Sequence, residues 1–72
     1  MRINPKRFCI AMAKLCLTTR DLQMIGGVSR STIAKIKNDP EYEPNPKIIG
    51  MLAKALDVSV EYLTGTEGHN GL

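Results

Sequence analysis

Two cations and a hydroxyl fall on one side of a short helical segment in the middle of the chain. At about 100° per residue, Ile33 and Ile36 share one face of this segment. Ser31 and Lys35 fall on the opposite face, and Arg30 lies beside them at the N-terminal end. Arginine and lysine can donate hydrogen bonds to guanine, and an α-helix fits the major groove of DNA. The pattern therefore indicates a helix with one buried stripe and one polar stripe that suits a DNA groove.

A second short helix is predicted immediately before this one. Thr18 is a suitable N-cap for it, and Leu22 and Ile25 give it an apolar face. Two consecutive glycines end it, and Gly27 can adopt the positive φ of a sharp turn at little cost. We therefore expect two helices joined by a tight turn, with Val28 filling the corner between them.

Residues that cap helices recur along the chain and predict five helices. The predicted N-caps are Asn4, Thr18, Ser29, Asn45 and Ser59. The first helix is expected to end near Cys16, the third before Pro40 and the fourth at Asp57. The fifth is expected over residues 60–64, stopped by Gly65. Since no segment alternates β-branched or aromatic residues for long, the predicted fold class is all-α.

The chain is long enough for one small domain with an aliphatic core. Of its 72 residues, 43% are hydrophobic, and it has no Trp and one Phe. The first helix is predicted to face the core through Phe8, Met12 and Leu15. The inward stripe of the fourth is predicted to be Ile48, Leu52, Ala55 and Leu56, with Ile49 and Met51 at its margins. We expect the domain to span residues 1–65, followed by a flexible C-terminal tail over residues 66–72.

Charge is divided unevenly along the sequence. Residues 1–37 hold eight cations and one acid, giving +7, whereas residues 38–72 hold two cations and six acids, giving −4. A basic half favours a surface that meets a polyanion such as nucleic acid, and a mixed, solvated surface is the alternative. The loop over residues 39–45 holds three acids and two prolines. We expect this loop to bend away from DNA phosphates, which would repel it.

The sequence offers no set of residues for catalysis or for a metal ion. Cys9 and Cys16 are expected to be small buried hydrophobes in a reducing cytosol, too far apart along one helix for a disulfide. His69 is alone in the tail, so neither a zinc site nor a Cys–His or Ser–His–Asp pairing is predicted. We therefore predict no enzyme activity, no cofactor and no small-molecule ligand.

The apolar run after Arg7 is too short for a signal peptide, and we expect a cytoplasmic protein that does not span a membrane.

The spacing of apolar residues in the two-helix segment resembles a known family. Counting from Thr19, apolar residues occupy the fourth, tenth, fifteenth and eighteenth positions, and Gly27 occupies the ninth. This pattern resembles the helix-turn-helix of the lambda-repressor/Cro (XRE) family. Residues 44–65 also resemble the fourth and fifth helices of that family, so the resemblance covers residues 4–65. The chain departs from the family at Gln23, where a small residue is usual, and at Gly26, where an apolar residue is usual.

The resemblance implies a five-helix, lambda-repressor-like domain with its helix-turn-helix at helices 2 and 3. The positions that would read bases are Arg30, Ser31 and Lys35, with Thr32 at their edge. The positions that would contact phosphates are Thr19, Arg20, Lys37 and Asn38. Solvated side chains on an exposed surface are the alternative for these residues. Many relatives hold a buried Arg–Glu ion pair, but Met12 and Lys37 occupy those positions here, so both partners are missing together.

A DNA-binding protein of only 72 residues is expected to bind a near-palindromic operator as a homodimer. The candidate dimer surface is Pro44, Val58, Val60, Tyr62 and Leu63. Of these, Val60 and Tyr62 are expected to be the least buried in a monomer. The alternative for Tyr62 is packing on the fourth helix of its own chain.

Two hypotheses for function follow from the resemblance and the charge pattern. The first is a sequence-specific transcriptional regulator, most simply a Cro-like repressor of a phage or mobile element whose partner is double-stranded operator DNA. The second is an antitoxin-like or partner-binding helix-turn-helix protein whose main affinity is for another protein. The first hypothesis is the leading one, and the sequence support for the second is the acidic loop and the exposed apolar C-terminal end.

Overall fold

The computed structural model describes residues 1–66, which form five α-helices. They are α1 (Pro5–Lys14), α2 (Thr19–Gly26), α3 (Arg30–Asn38), α4 (Pro46–Leu56) and α5 (Val60–Thr64). No strand occurs among these residues, so the predicted all-α fold class is confirmed. In this range no helix is long and apolar enough to cross a membrane. Most of the predicted tail, residues 67–72, lies outside the described residues.

Every helix begins after its predicted capping residue, whose side-chain oxygen accepts a backbone N–H of the first turn. Asn4 Oδ1 accepts the Lys6 N–H at 3.0 Å. Thr18 Oγ1 accepts the Asp21 N–H at 3.1 Å, and Asp21 Oδ2 accepts the Thr18 N–H at 3.0 Å, which completes a capping box. The other three caps are Ser29, Asn45 and Ser59. The five predicted N-caps are therefore confirmed.

All five helices contribute to one aliphatic core. The largest fully buried side chains are Phe8, Leu22, Ile33, Ile49, Leu52, Leu56 and Leu63. In this arrangement α2 packs on α3 and α4, while α1 packs on α3 and α5. Ile3 is also buried, and the Asn4 N–H donates to the Leu63 carbonyl oxygen at 2.7 Å. The segment before α1 is therefore joined to α5.

The predicted core stripe of α1 is wrong at Leu15, which is 43% exposed. The helix ends at Lys14 instead of Cys16, and Leu15 is its C-cap with φ −100° and ψ 4°. This residue therefore leaves the helical register that would have carried it inward. Ala11 and Met12 are buried in the stripe beside Phe8.

The predicted apolar face of α2 is wrong at Ile25, which is 60% exposed. α2 faces α4 through Leu22 and Gly26, and a Cβ placed on Gly26 would lie 3.5 Å from the Cβ of Ala55. This separation is an ordinary van der Waals contact, so the position would also accept an alanine. Leu22 and Gly26 lie one turn apart on the buried face, and Ile25 lies about 100° of helical rotation away from Gly26.

The buried stripe of α4 is rotated from the predicted one. Its buried residues are Ile49, Leu52, Ala53 and Leu56, which follow i, i+3, i+4, i+7. Ile48 and Ala55 were predicted to be inside the stripe, yet they are partly buried and pack against the core from its edge. Consecutive isoleucines both fit an apolar stripe, so only the partner helices decide which of them is inside.

Both cysteines are exposed free thiols, so the prediction that they are buried is wrong. Cys9 follows the buried Phe8 on α1, and one residue of helical rotation turns it away from the core. Cys16 lies beyond the end of α1 in the left-handed region, with φ 55°. The two cysteines therefore do not share one helix.

Candidate nucleic-acid interface

The two faces of α3 divide as the sequence predicts. Ile33 and Ile36 are buried against the core, whereas Arg30, Ser31 and Lys35 are exposed on the other side. Arginine presents a planar fork of donors, and lysine presents a single mobile ammonium group. Such a face can donate hydrogen bonds to base edges or to phosphate oxygens. The division into two faces is confirmed, and base reading by these residues stays a prediction.

Three hydroxyl groups meet at the start of α3. Ser29 Oγ accepts the Thr32 N–H at 3.3 Å and lies 2.8 Å from Thr32 Oγ1. It also lies 3.3 Å from Ser31 Oγ. Thr32 is half-buried, and its hydroxyl is engaged with the cap. Ser29 and Ser31 are both exposed, and Thr32 lies at the edge of the polar face.

The turn between α2 and α3 sets the angle at which α3 is presented. Gly27 has φ 69° and ψ 22°, a left-handed conformation, and its N–H donates to the Gln23 carbonyl oxygen at 3.0 Å. Val28 is buried next to it. The predicted tight turn is thus confirmed, and its geometry favours glycine at position 27 because residues with a Cβ are strained at this φ.

A polar cleft lies between the first turns of α2 and α3. Its volume is about 430 Å³, and it is lined by Thr19, Arg20, Gln23 and Arg30. The cleft brings two residues predicted to bind phosphate next to one predicted to read bases. In the sequence, Gln23 stands out only because it replaces the small residue usual in helix packing. Its position one turn after Thr19 on α2 is the signal that would have placed it here.

Lys37 does not extend freely into solvent. Its Nζ donates to Thr19 Oγ1 at 2.9 Å, and the side chain is half-buried. The bond joins the end of α3 to the start of α2. Asn38 is the last residue of α3 and is exposed, about 12 Å along the helix from Arg30. The predicted phosphate ligands therefore divide between the cleft and the far end of α3.

Both glutamates of the loop between α3 and α4 are paired with cations of the same chain. Glu41 Oε1 lies 3.4 Å from Arg2 Nη2, and Glu43 Oε2 lies 3.9 Å from Arg2 Nε. Glu43 Oε1 also accepts from the Met1 amino group at 2.8 Å. That hydrogen bond, the charge of the amino group and the charge of Arg2 hold the pKa of Glu43 below its usual value. All four groups are exposed, so these contacts neutralise charge more than they add stability.

Tyr42, in the same loop, lies beside α3. The ring centroid is 5.6 Å from the Nζ of Lys35, within the range of a cation–π contact. Tyr42 is half-buried and packs against the core. No sequence pattern pointed to this residue, because its position depends on how the loop returns toward α3.

The predicted dimer surface is only partly available in this structure. Leu63 is fully buried and Pro44 is buried, so neither offers much side chain to a second copy. Val58, Val60 and Tyr62 are half-buried, as expected for the last two. The Tyr62 ring lies 5.1 Å from the guanidinium carbon of Arg7, so it packs with α1. Homodimer formation at this end stays a prediction.

Comparison with known proteins places the chain in a family. The family model described as helix-turn-helix matches residues 11–63, which contain the cleft and both helices around it. An uncharacterized HTH-type transcriptional regulator, RghRB of Bacillus subtilis (strain 168), is 40% identical over 53 residues. These residues are 74% of this chain and 38% of the relative, so the chain spans well under half of that protein's length. No solved structure matches the chain. With its left-handed glycine turn and the family match over most of its length, the chain belongs to the lambda-repressor/Cro (XRE) family of helix-turn-helix DNA-binding proteins.

Proposed function

We propose that the chain is a sequence-specific transcriptional regulator that inserts α3 into the major groove of operator DNA. The observation that carries the proposal is the cleft in which Arg30 meets Thr19 and Arg20. One cleft that holds a base-reading candidate and two phosphate-binding candidates suits the edge of a groove, where bases and backbone lie side by side. The name of the Bacillus subtilis relative, a transcriptional regulator, supports the same function.

In this proposal, each side chain has a distinct role. Arg30 donates two hydrogen bonds to guanine O6 and N7, and Lys35 donates one to an acceptor further along the groove. Ser31 adds a hydroxyl between them. Thr19, Arg20 and Gln23 donate to the phosphates that flank the groove, which fixes the depth and register of α3.

The regulator acts as a Cro-like repressor of a phage or mobile element in our proposal. A homodimer on a near-palindromic operator would occlude polymerase without any small-molecule signal. Two copies are needed because one recognition helix reads only a few base pairs. The half-buried Val60 and Tyr62 are the proposed centre of the dimer contact.

Selection of bound sequences from a random duplex library tests the proposal directly. We expect enrichment of a motif with two half-sites about one helical turn apart and footprinting that protects both. The Arg30→Ala/Lys35→Ala variant should lose the motif. Lys47→Ala/Lys54→Ala, which removes the same charge from α4, should keep it. Failure to enrich any motif would contradict sequence-specific binding, and protection of one half-site by a monomer would contradict the dimer.

An antitoxin-like or partner-binding role is the second candidate. Ile25 is 60% exposed at the end of α2, where it lines an apolar groove of about 410 Å³. The groove is lined by Ile25, Gly26, Met51, Lys54 and Ala55. The acidic loop supports this role less than the sequence suggested, because its glutamates are paired with Arg2. Co-purification of a stoichiometric protein partner, with only weak binding to every duplex, would favour it over the first candidate.

A further inference from the structure

The contact between Lys35 and Tyr42 joins the polar face of α3 to the loop that follows it. The ammonium nitrogen is 5.6 Å from the centroid of the ring. A cation at this distance over an aromatic face is attracted by the ring quadrupole. Lys35 is exposed, whereas Tyr42 is half-buried, so the ring is the fixed partner and the lysine the mobile one.

Several contacts hold the ring in place. The Asp39 N–H donates to the Lys35 carbonyl oxygen at 2.8 Å, and the Tyr42 N–H donates to the Asp39 carbonyl oxygen at 3.2 Å. The loop therefore turns back immediately after α3. Tyr42 packs against the core, and Pro44 is buried two residues later. On the solvent side, Arg2 pairs with the glutamates on either side of Tyr42.

A lysine side chain loses considerable rotamer freedom when it is ordered at a base edge. A fixed aromatic ring beside its ammonium group restricts that freedom before DNA arrives, so less is lost on binding. Resting on the proposed DNA-binding function, we propose that Tyr42 is a positioning residue that determines specificity. Its ring holds Lys35 in the orientation that reads one base position. The ring itself need not touch DNA.

The contact can be measured in the free protein, without any duplex. Protons near the face of an aromatic ring shift upfield, so the Lys35 side-chain protons should resonate upfield of those of Lys14, the reference lysine on α1. Tyr42→Phe keeps the ring and should keep the shift, whereas Tyr42→Leu should abolish it. Equal chemical shifts for the two lysines in the unmodified protein would overturn the proposal, even if Tyr42→Leu fails to fold.

The functional test uses the duplex selected by the unmodified protein and its single-base variants as probes. Tyr42→Leu should reduce discrimination at one base position by about two- to fivefold, the effect expected from an exposed cation–π contact. Lys35→Ala should relax preference at the same position. In the Lys35→Ala background, Tyr42→Leu should have no further effect there, and Tyr42→Phe should behave like the unmodified protein throughout.

The outcomes separate the positioning role from a structural one and from the proposed function. If Tyr42→Leu weakens binding to all duplexes alike, the residue only supports the fold and the proposal is overturned. If Lys35→Ala changes base preference but Tyr42→Leu does not, the positioning role is contradicted and the proposed function remains supported. If the unmodified protein selects no sequence, the proposed function falls and the role of Tyr42 falls with it.

Discussion

The ammonium group of Lys37 lies 2.9 Å from the hydroxyl oxygen of Thr19, so a hydrogen bond joins the last turn of α3 to the first residue of α2. Met12 and Lys37 stand at the two positions where the family resemblance implies a buried Arg–Glu ion pair. Met12 is buried in the core, whereas Lys37 turns to Thr19 and remains half-solvated. The fold accommodates Lys37 without a carboxylate partner because its ammonium group bonds the Thr19 hydroxyl and remains partly exposed to solvent.

This bond should be measurable in a double-mutant cycle. We expect Lys37→Met to lower the free energy of unfolding by about 1 kcal/mol. This is the net contribution of a typical intramolecular hydrogen bond, whose groups bond to water in the unfolded chain. Thr19→Val should have a similar effect, and the double variant should be little worse than either. Thr19→Ser, which keeps the hydroxyl, is the control. Strictly additive losses in denaturant unfolding would contradict coupling between the two residues.

Single substitutions on the polar face of α3 should affect recognition without affecting the fold. Arg30→Ala or Lys35→Ala should cost about 1–3 kcal/mol of specific binding and relax preference at one base position. Lys54→Ala removes one cation from an exposed site on α4 and controls for net charge. Titration of the selected duplex would measure the effect. Unchanged affinity and an unchanged motif in both variants would refute the site assignment.

Neutralising the loop acids should strengthen DNA binding without changing base preference. Glu41→Gln/Glu43→Gln removes two negative charges and releases Arg2 from both of its ion pairs. Affinity should therefore rise for all sequences alike, and most at low salt, where screening is weakest. Glu61→Gln on α5 is the control for a single lost acid. No change at low salt would mean that the loop is electrostatically remote, and a loss of binding would mean that the acids organise the site.

Because of the capping box of α2, the stability of the fold should depend on pH in the acid range. The Thr18 backbone N–H, the Thr18 hydroxyl and the charge of Arg20 hold the pKa of Asp21 below its usual value of 3.8, although partial desolvation opposes them. A carboxyl with a lower pKa in the folded state stabilises the fold above the unfolded-state pKa. It loses this contribution as the pH falls through the folded-state pKa. Asp21→Asn should therefore be less stable than the unmodified protein at pH 7.

The difference between the two proteins should start to shrink at about pH 4, where Asp21 of the unfolded chain binds a proton, and should vanish below the lower folded-state pKa, where both proteins carry a neutral side chain at this position. Thermal unfolding between pH 2 and pH 7 would measure it. Unfolding curves that stay parallel over this range would show that the lowered pKa of Asp21 does not contribute to stability.

Local interactions explain which parts of the fold were predictable from the sequence. A cap bonds an N–H two or three residues away, so Asn4, Thr18 and the other caps could be placed without knowing the fold. The left-handed turn at Gly27 is local in the same sense. The polar face of α3 followed from helical periodicity, since Ile33 and Ile36 fix the inward direction and leave Lys35 outside.

Features that depend on how helices meet could not be predicted. Whether Ile48 or Ile49 of α4 is buried depends on the rotation of the helix against α2 and α5. Ile25 is exposed because α2 meets α4 through Leu22 and Gly26. In the site, Gln23 could have been placed in the cleft from its position one turn after Thr19, but Tyr42 meets Lys35 only because the loop turns back toward α3. Helical periodicity does not predict contacts between two helices or between a loop and a helix.

The bond from the Asn4 N–H to the Leu63 carbonyl oxygen bears on the order in which the chain folds. Forming it closes a loop of about 60 residues, at an entropic cost that rises with loop length. α2 and α3 are separated only by a three-residue turn, residues 27–29, so they can dock at little such cost. We expect Leu22→Ala to slow folding and Leu63→Ala mainly to speed unfolding in stopped-flow kinetics, and the reverse would contradict this order. The surface proposed to meet DNA would then be assembled before the first and last helices close around it.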